Sequence, residues 1–399
     1  MSGWITERAD AYCDSVRDGT HDSPKPVERG HRLITSKHIA NETLNFAGAN
    51  FISDEDYEAI NQRSKVDVGD LLFSMIGTVG RVYRVDDEPD YAIKNMGLFK
   101  ISDELKSKYL FYYMQSPTAK QYIEGCLAGS TQKFMSLTNL RAFPIVYPND
   151  HTTMAAIVEI LDSLTWKHRI NQRTNDYLER CCQSLFDDIQ NDRTNEVIQL
   201  SDVAAVNPKR HLTKGSLARC VEMANLSTSG SFPNDWCRKA YSGGMKFMNG
   251  DTILARITPC LENGKTAYIN FLDEGEVAFG STEYIVLASK GLLPAEFFYF
   301  LARNRAFVSY ATNHMNGSSG RQRVSAQDIE AYRLRMPSSS QAARFADFAR
   351  PIMEEILTRS LENRRLSSLR GALLPKLLSG EIDVSKVEIP TPPNNHLSV

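Results

Sequence analysis

The strongest constraint on this fold is that the chain says much the same thing twice, about 190 residues apart. Gly69-Asp70-Leu71-Leu72-Phe73 answers to Gly250-Asp251-Thr252-Ile253-Leu254, and Leu110-Phe111-Tyr112-Tyr113-Met114 answers to Phe297-Phe298-Tyr299-Phe300-Leu301. Ser136-Leu137-Thr138-Asn139-Leu140 matches Ser325-Ala326-Gln327-Asp328-Ile329, and Pro148 matches Pro337. The offset drifts from 181 to 189 along this alignment, so the apolar frame is shared while the loops differ in length. A repeat of this size predicts two equivalent globular units rather than one large core.

Each copy mixes two periodicities. Residues 1–150 alternate short β-type runs, such as 79–85, with helical stretches such as 104–114, whose apolar positions recur at three and four. Pro144 and Pro148 close this unit, because proline cannot continue a helix interior. The second copy spans 196–340, and both are expected to be α+β domains. Their aromatic runs fall at helical spacing, which predicts core packing rather than base-stacking platforms.

A helical segment follows each copy. Ile157, Leu161, Leu164, His168, Asn171, Asn175, Leu178, Cys182 and Leu185 step by four and three, predicting a central helix over 151–195. At about 1.5 Å per residue, roughly thirty helical residues make a rod near 45 Å long. Phe345, Phe348, Ile352, Ile356, Arg359, Asn363, Leu366, Leu369, Leu373 and Leu377 predict a second helix over 341–385. Pro375 should kink or thin its last turns and Gly380 should cap it. A lone amphipathic helix cannot bury its seam, so the two are expected to pair as an antiparallel coiled coil, with the polar middle fixing register. Packing of each helix on its own domain is the competing reading. The tail 386–399 is expected to be disordered.

With 42% hydrophobic and 24% charged residues the composition is that of a soluble globular protein. Apolar runs fall far short of the roughly 18 residues a membrane span needs, and the N-terminus shows no signal-peptide core, so a cytoplasmic protein without membrane association is expected. Seven scattered cysteines without a C-x-x-C pair argue against a zinc site and for reduced thiols. Net charge is −2; residues 1–150 carry 17 basic against 21 acidic side chains, whereas 201–340 carry 16 against 12. Nucleic-acid binding would therefore need a local basic face.

Three segments carry a family likeness: Asp18-Gly19-Thr20-His21-Asp22-Ser23-Pro24-Lys25, the paired Gly-Asp strands, and Gly371-Ala372-Leu373-Leu374-Pro375-Lys376-Leu377-Leu378-Ser379-Gly380-Glu381-Ile382. In the order domain, helix, domain, helix, the chain resembles the specificity subunit of type I restriction-modification enzymes over nearly its whole length. The resemblance implies two pseudo-symmetric target-recognition domains, each reading one half of an asymmetric, split double-stranded DNA site. It implies no chemistry in this chain, which would dock two methyltransferase subunits and the restriction subunits. S-adenosylmethionine, ATP and magnesium would then sit on those partners, with no cofactor, metal or catalytic residue here. The helices would be ruler and docking surface, and a rod of about 45 Å suits half-sites about one DNA turn apart, roughly 34–36 Å.

The best candidate DNA contacts are the polar loops before each last apolar strand. In the first copy this is Ser130, Thr131, Gln132 and Lys133; in the second, Ser318, Ser319, Arg321, Gln322 and Arg323. Arginine can bond guanine at two points and glutamine can do so with adenine, while hydroxyls suit phosphates. A second set follows each Gly-Asp strand: Ser74, Thr78 and Arg81, then Arg256, Thr258 and Lys265, with plain β-turns as the competing reading. Thr20, His21 and Lys25 form a third set, joined by Lys94 and Asn95.

No G-x-x-x-x-G-K-[ST] phosphate loop occurs. Asn207-Pro208-Lys209 starts like a methyltransferase N-P-P-Y motif but lacks its second proline and its aromatic. Two other classes stay open on sequence: a single-chain methyltransferase or nuclease with an unfamiliar site, and a duplicated protein-binding scaffold.

Overall fold

A computed structural model describes residues 3–40, 42–129, 133–318 and 320–384. The chain divides into two compact units, residues 1–165 with 369–399, and residues 166–368.

In the first unit a four-stranded sheet runs in the order Ser15–Asp18, Met96–Lys100, Leu71–Ser74, Val82–Arg84. The second unit repeats that order with Ala204–Val206, Tyr284–Ser289, Thr252–Ala255 and Thr266–Tyr268. A further sheet holds one parallel pair in each copy, His31–Ile34 with Tyr91–Ile93 and Leu217–Val221 with Ala278–Gly280. A two-stranded ribbon closes each copy, Trp4–Arg8 with Pro144–Pro148 and Val197–Gln199 with Arg333–Arg335. The duplication in sequence is therefore a duplication of strand order.

The paired Gly-Asp motifs open the central strand. Gly69 and Gly250 have φ of 91° and 87°, which a side chain would resist, and they turn the chain into the strand. The aspartate that follows is buried and fastens the turn. Asp70 accepts the Asp67 N–H at 2.7 Å and Lys100 Nζ at 2.5 Å; Asp251 accepts the Met248 N–H at 2.8 Å and Arg210 Nη2 at 2.5 Å. Burial pushes the Asp70 carboxyl up and raises that of Asp251 to about 6.

The aromatic runs lie on the helices Glu104–Tyr113 and Ala295–Arg303 and are core, as their spacing predicts. Against them pack the long helices, His151–Asn191 and Ser339–Leu378. In the first unit Met154, Ile157 and Leu161 share one apolar cluster with Leu374, Leu377 and Leu378. In the second, Cys182, Phe186 and Ile189 meet Phe345, Ala349 and Met353, with the Phe186 and Phe345 rings 6.4 Å apart. Early residues of one helix meet late residues of the other, so the pairing is antiparallel. Its middle is polar: Asn171, fully buried, donates from Nδ2 to Asn363 Oδ1 at 3.0 Å and to Glu362 at 2.7 Å, and Asn363 donates to the His168 carbonyl.

The seam differs from its expected register. Thr165, Glu179 and Phe186 are buried while Leu164, Leu178 and Leu185 are half-buried, and Phe348 and Leu369 are exposed. Each helix is covered by both its partner and a domain, so the buried stripe is wider than a coiled-coil seam. Both readings of the helices thus hold together. Pro375 lies within the second helix, which continues to Leu378. The carbonyl that proline leaves without a donor belongs to Gly371, which is exposed to water. Gly380, at φ 73°, closes it with Glu381 N–H on the Lys376 carbonyl, 2.9 Å. The tail expected to be disordered lies outside the described residues. Among the described residues no helix is long and apolar enough to cross a membrane.

Candidate nucleic-acid interface

The two candidate sets that sequence places far apart come together in each copy. In the second unit Ile257 bridges Arg323 antiparallel, the Thr258 N–H donates to the Gln322 carbonyl at 3.1 Å, and the Val324 N–H donates to Arg256 O at 3.0 Å. In the first, Ile76 bridges Phe134, the Gly77 N–H donates to the Lys133 carbonyl at 3.1 Å, and the Met135 N–H donates to Met75 O at 2.9 Å. Each loop is also closed on itself, Ala128 with Phe134 and Asn316 with Arg323. One backbone frame thus presents Lys133 and Phe134 in one copy and Gln322 and Arg323 in the other.

Within that frame the side chains divide. Arg321 and Ser318 are exposed at the tip, where the Arg321 N–H donates to the Ser318 carbonyl at 3.0 Å. Arg323 is otherwise engaged. Its Nε donates to both carboxylate oxygens of Glu283 at 3.0 Å, Nη2 donates to one of them at 2.8 Å, and Nη1 donates to the Arg321 carbonyl at 2.9 Å. The same contact holds the Glu283 carboxyl below its ordinary range. A fork spent in this way braces the loop instead of offering two donors to guanine. Ser319, Ser130, Thr131 and Gln132 lie outside the described residues; Lys133 is exposed.

Two of the turn residues also face inward. Ser74 is buried, donating to the Thr78 carbonyl at 2.7 Å and accepting the Arg81 N–H at 2.8 Å, so its hydroxyl closes the turn and is not offered to phosphate. Lys265 Nζ donates to the Met223 carbonyl at 2.8 Å. Arg81 donates to the Ile39 carbonyl at 2.8 Å, Arg256 and Thr258 are half-buried, and Thr78 is exposed.

The third set becomes one cluster. Thr20 bridges Lys94, and His21 lies 2.7 Å from Asn95 Oδ1 and 2.9 Å from the carboxylate of buried Asp18. Lys94 meets Ser23, and Lys25 is exposed. Sequence reasoning missed Glu283, because it precedes Arg323 by 40 residues and no local pattern marks it. It also missed the exposed strand Cys237–Ala240, which carries Arg238 and Lys239, the latter paired with Glu222.

Comparison with known proteins points the same way. Residues 25–180 match the type I restriction modification DNA specificity domain. The type I restriction enzyme EcoEI specificity subunit of Escherichia coli is 30% identical over 180 residues, 44% of this chain and 30% of that protein. The MjaIX specificity subunit of Methanocaldococcus jannaschii is 22% identical over 327 residues, 71% of each chain. The chain thus spans less than a third of the first relative's length and over two thirds of the second's. The crystal structure of a type I restriction-modification S subunit from M. genitalium superposes with a TM-score of 0.56 over 94% of this chain and 96% of that one, at 13% identity, which shows a shared fold. Residues 25–180 thus resemble the specificity domain of type I restriction-modification enzymes, and the chain shares its fold with a solved S subunit of that class.

Proposed function

We propose that this chain is the noncatalytic, sequence-reading subunit of a type I restriction-modification complex, with each domain reading one half of an asymmetric bipartite double-stranded DNA target. Two methyltransferase subunits and the restriction subunits dock on it, and S-adenosylmethionine, ATP and magnesium stay with them. One observation carries the reading: the same loop frame occurs in both copies, fastened by equivalent backbone hydrogen bonds, yet it displays Lys133 in one and Arg321 with Gln322 in the other. A conserved frame with different side chains is what two readers of different half-sequences need.

Mapping of methylated adenines in the source organism, before and after deletion of the gene, tests it. The expected motif is two short blocks separated by an unread gap, lost on deletion; a continuous or palindromic motif refutes the two-reader reading. Arg321→Ala should relax one block only, at about 1–3 kcal/mol, whereas equal weakening on every sequence would make Arg321 a phosphate contact.

A further inference from the structure

Cys220 and Cys237 stand directly opposite each other on the antiparallel strands Leu217–Val221 and Cys237–Ala240. Opposed residues share a face of the sheet, with Cα atoms about 4.5 or 5.5 Å apart, and both spacings lie inside the roughly 4.4–6.8 Å that a disulfide spans. The Cys237 Sγ lies 4.0 Å from the Cys220 carbonyl oxygen, and both thiols are free. Their surroundings differ: Cys237 is exposed, whereas Cys220 is buried beside Ala218 and Phe279.

What the pair encloses gives it a role. Residues 221–236 form the loop that fastens this domain to both long helices. Ser231 Oγ donates to Glu179 of the first helix at 3.0 Å, and Arg364 of the C-terminal helix pairs with Asp235 at 2.7 Å while lying 4.2 Å over the Trp236 ring. Within the domain, Arg303 donates to the Thr228 carbonyl at 3.0 Å and Trp236 stacks on Phe271 at 4.1 Å. The two cysteines sit at the neck of this loop, one on each side.

We infer that Cys220 and Cys237 are a reversible dithiol–disulfide site that staples the docking loop of the second domain, with a hydroperoxide as oxidant. The exposed Cys237 thiolate attacks the peroxide, the O–O bond breaks, and Cys237 becomes a sulfenic acid as one water leaves. Cys220 then attacks that sulfur and a second water leaves. Two thiols have lost two electrons and two protons, and one hydrogen peroxide has become two waters. An external dithiol reverses the bond by exchange. The inference concerns the fold of one domain and does not depend on what DNA the chain reads.

The test uses the full chain, reduced, desalted and treated with stoichiometric hydrogen peroxide, then alkylated and mapped by mass spectrometry. The expected result is a Cys220–Cys237 cross-linked peptide pair lighter by two hydrogens, with the other cysteines alkylated, and full reversal by dithiothreitol. Cys220→Ser and Cys237→Ser should each abolish the product. In a Trp4→Phe, Trp166→Phe background, where Trp236 alone reports, the oxidised protein should also unfold several degrees higher, because the loop is already closed in its unfolded state. Formation of the bond equally well in 6 M guanidinium would show that the fold does not direct it. Accumulation of Cys237 sulfinic acid without the cross-link, or pairing with Cys181 or Cys260 instead, would likewise overturn the assignment.

Discussion

Tyr299→Phe removes one oxygen atom from the second unit, and its cost follows from where that oxygen sits. The ring is fully buried, and its hydroxyl donates to Glu179 Oε1 at 2.7 Å. That carboxylate, itself nearly buried, has two other partners, Ser231 Oγ at 3.0 Å and Arg303 Nε at 3.5 Å. A hydrogen bond to a charged group contributes about 1.5–3 kcal/mol, and the acceptor left behind has no water to replace the donor. A loss of about 2 kcal/mol is expected, equivalent to roughly 4–8 °C in a unit of this size. The aligned change Tyr112→Phe should cost less. Tyr112 donates to Asp162 at 2.6 Å, but Asp162 is 36% exposed and also pairs with Lys108, so water and that cation compensate. Urea unfolding in a Trp4→Phe, Trp166→Phe background, where Trp236 alone reports, gives the second unit's stability. The cycle with Glu179→Gln should show at least 1 kcal/mol of coupling. A Tyr299→Phe cost below about 0.5 kcal/mol, or additive costs in the cycle, would refute the reasoning.

Asn171→Leu should cost about 1–3 kcal/mol by leaving Asn363 and Glu362 without their donor, whereas the double change with Asn363→Leu should come close to neutral in urea unfolding. The Asp251 carboxyl, at about 6, lies above its ordinary 3.8, so its contribution to stability is complete below about pH 4 and is lost as pH rises through 6. The urea midpoint of the wild type should therefore fall relative to that of Asp251→Asn between pH 5 and pH 7. Gly380→Ala should destabilise the first unit by at least about 1–2 kcal/mol, the cost of the left-handed backbone, read through Trp4 fluorescence in a Trp166→Phe, Trp236→Phe background. The added Cβ would also come within 2.8 Å of Trp4 Nε1.

The letters of this chain carry its repeat, its aromatic helices and its two long helices, because all three rest on local periodicity. The inner contacts rest on partners remote in sequence and do not show there. Ser74 looks like any hydroxyl at a turn until the turn folds back on it, and Arg323 looks like a base reader until Glu283 arrives from a strand end 40 residues earlier. Periodicity also assumes one buried side per helix. Glu179, a carboxylate at the edge of the expected seam, is buried because the domain covers what the other helix does not. The convergence of the two candidate sets on one frame could have been expected from the repeat, since both sets recur with the sheet between them.

The repeat also explains why its two halves differ where they do. In both units the first long helix offers an acid to the tyrosine of the aromatic helix, Asp162 to Tyr112 and Glu179 to Tyr299. In both, the C-terminal helix supplies a guanidinium. Arg370 donates to Glu42 and lies 5.7 Å over Tyr112, and Arg350 lies 3.5 Å from Glu296. In each unit the acid comes from one long helix and the guanidinium from the other, so the two helices bring opposite charge to each aromatic helix. A helix facing its own kind would bring two carboxylates, or two guanidiniums, against one aromatic helix. Like charges there are repulsive, and the polar middle around Asn171 and Asn363 fixes the register of the unlike pair. Duplication gives the two halves one fold, and the opposite charges of the two long helices favour the pairing of unlike helices over like ones.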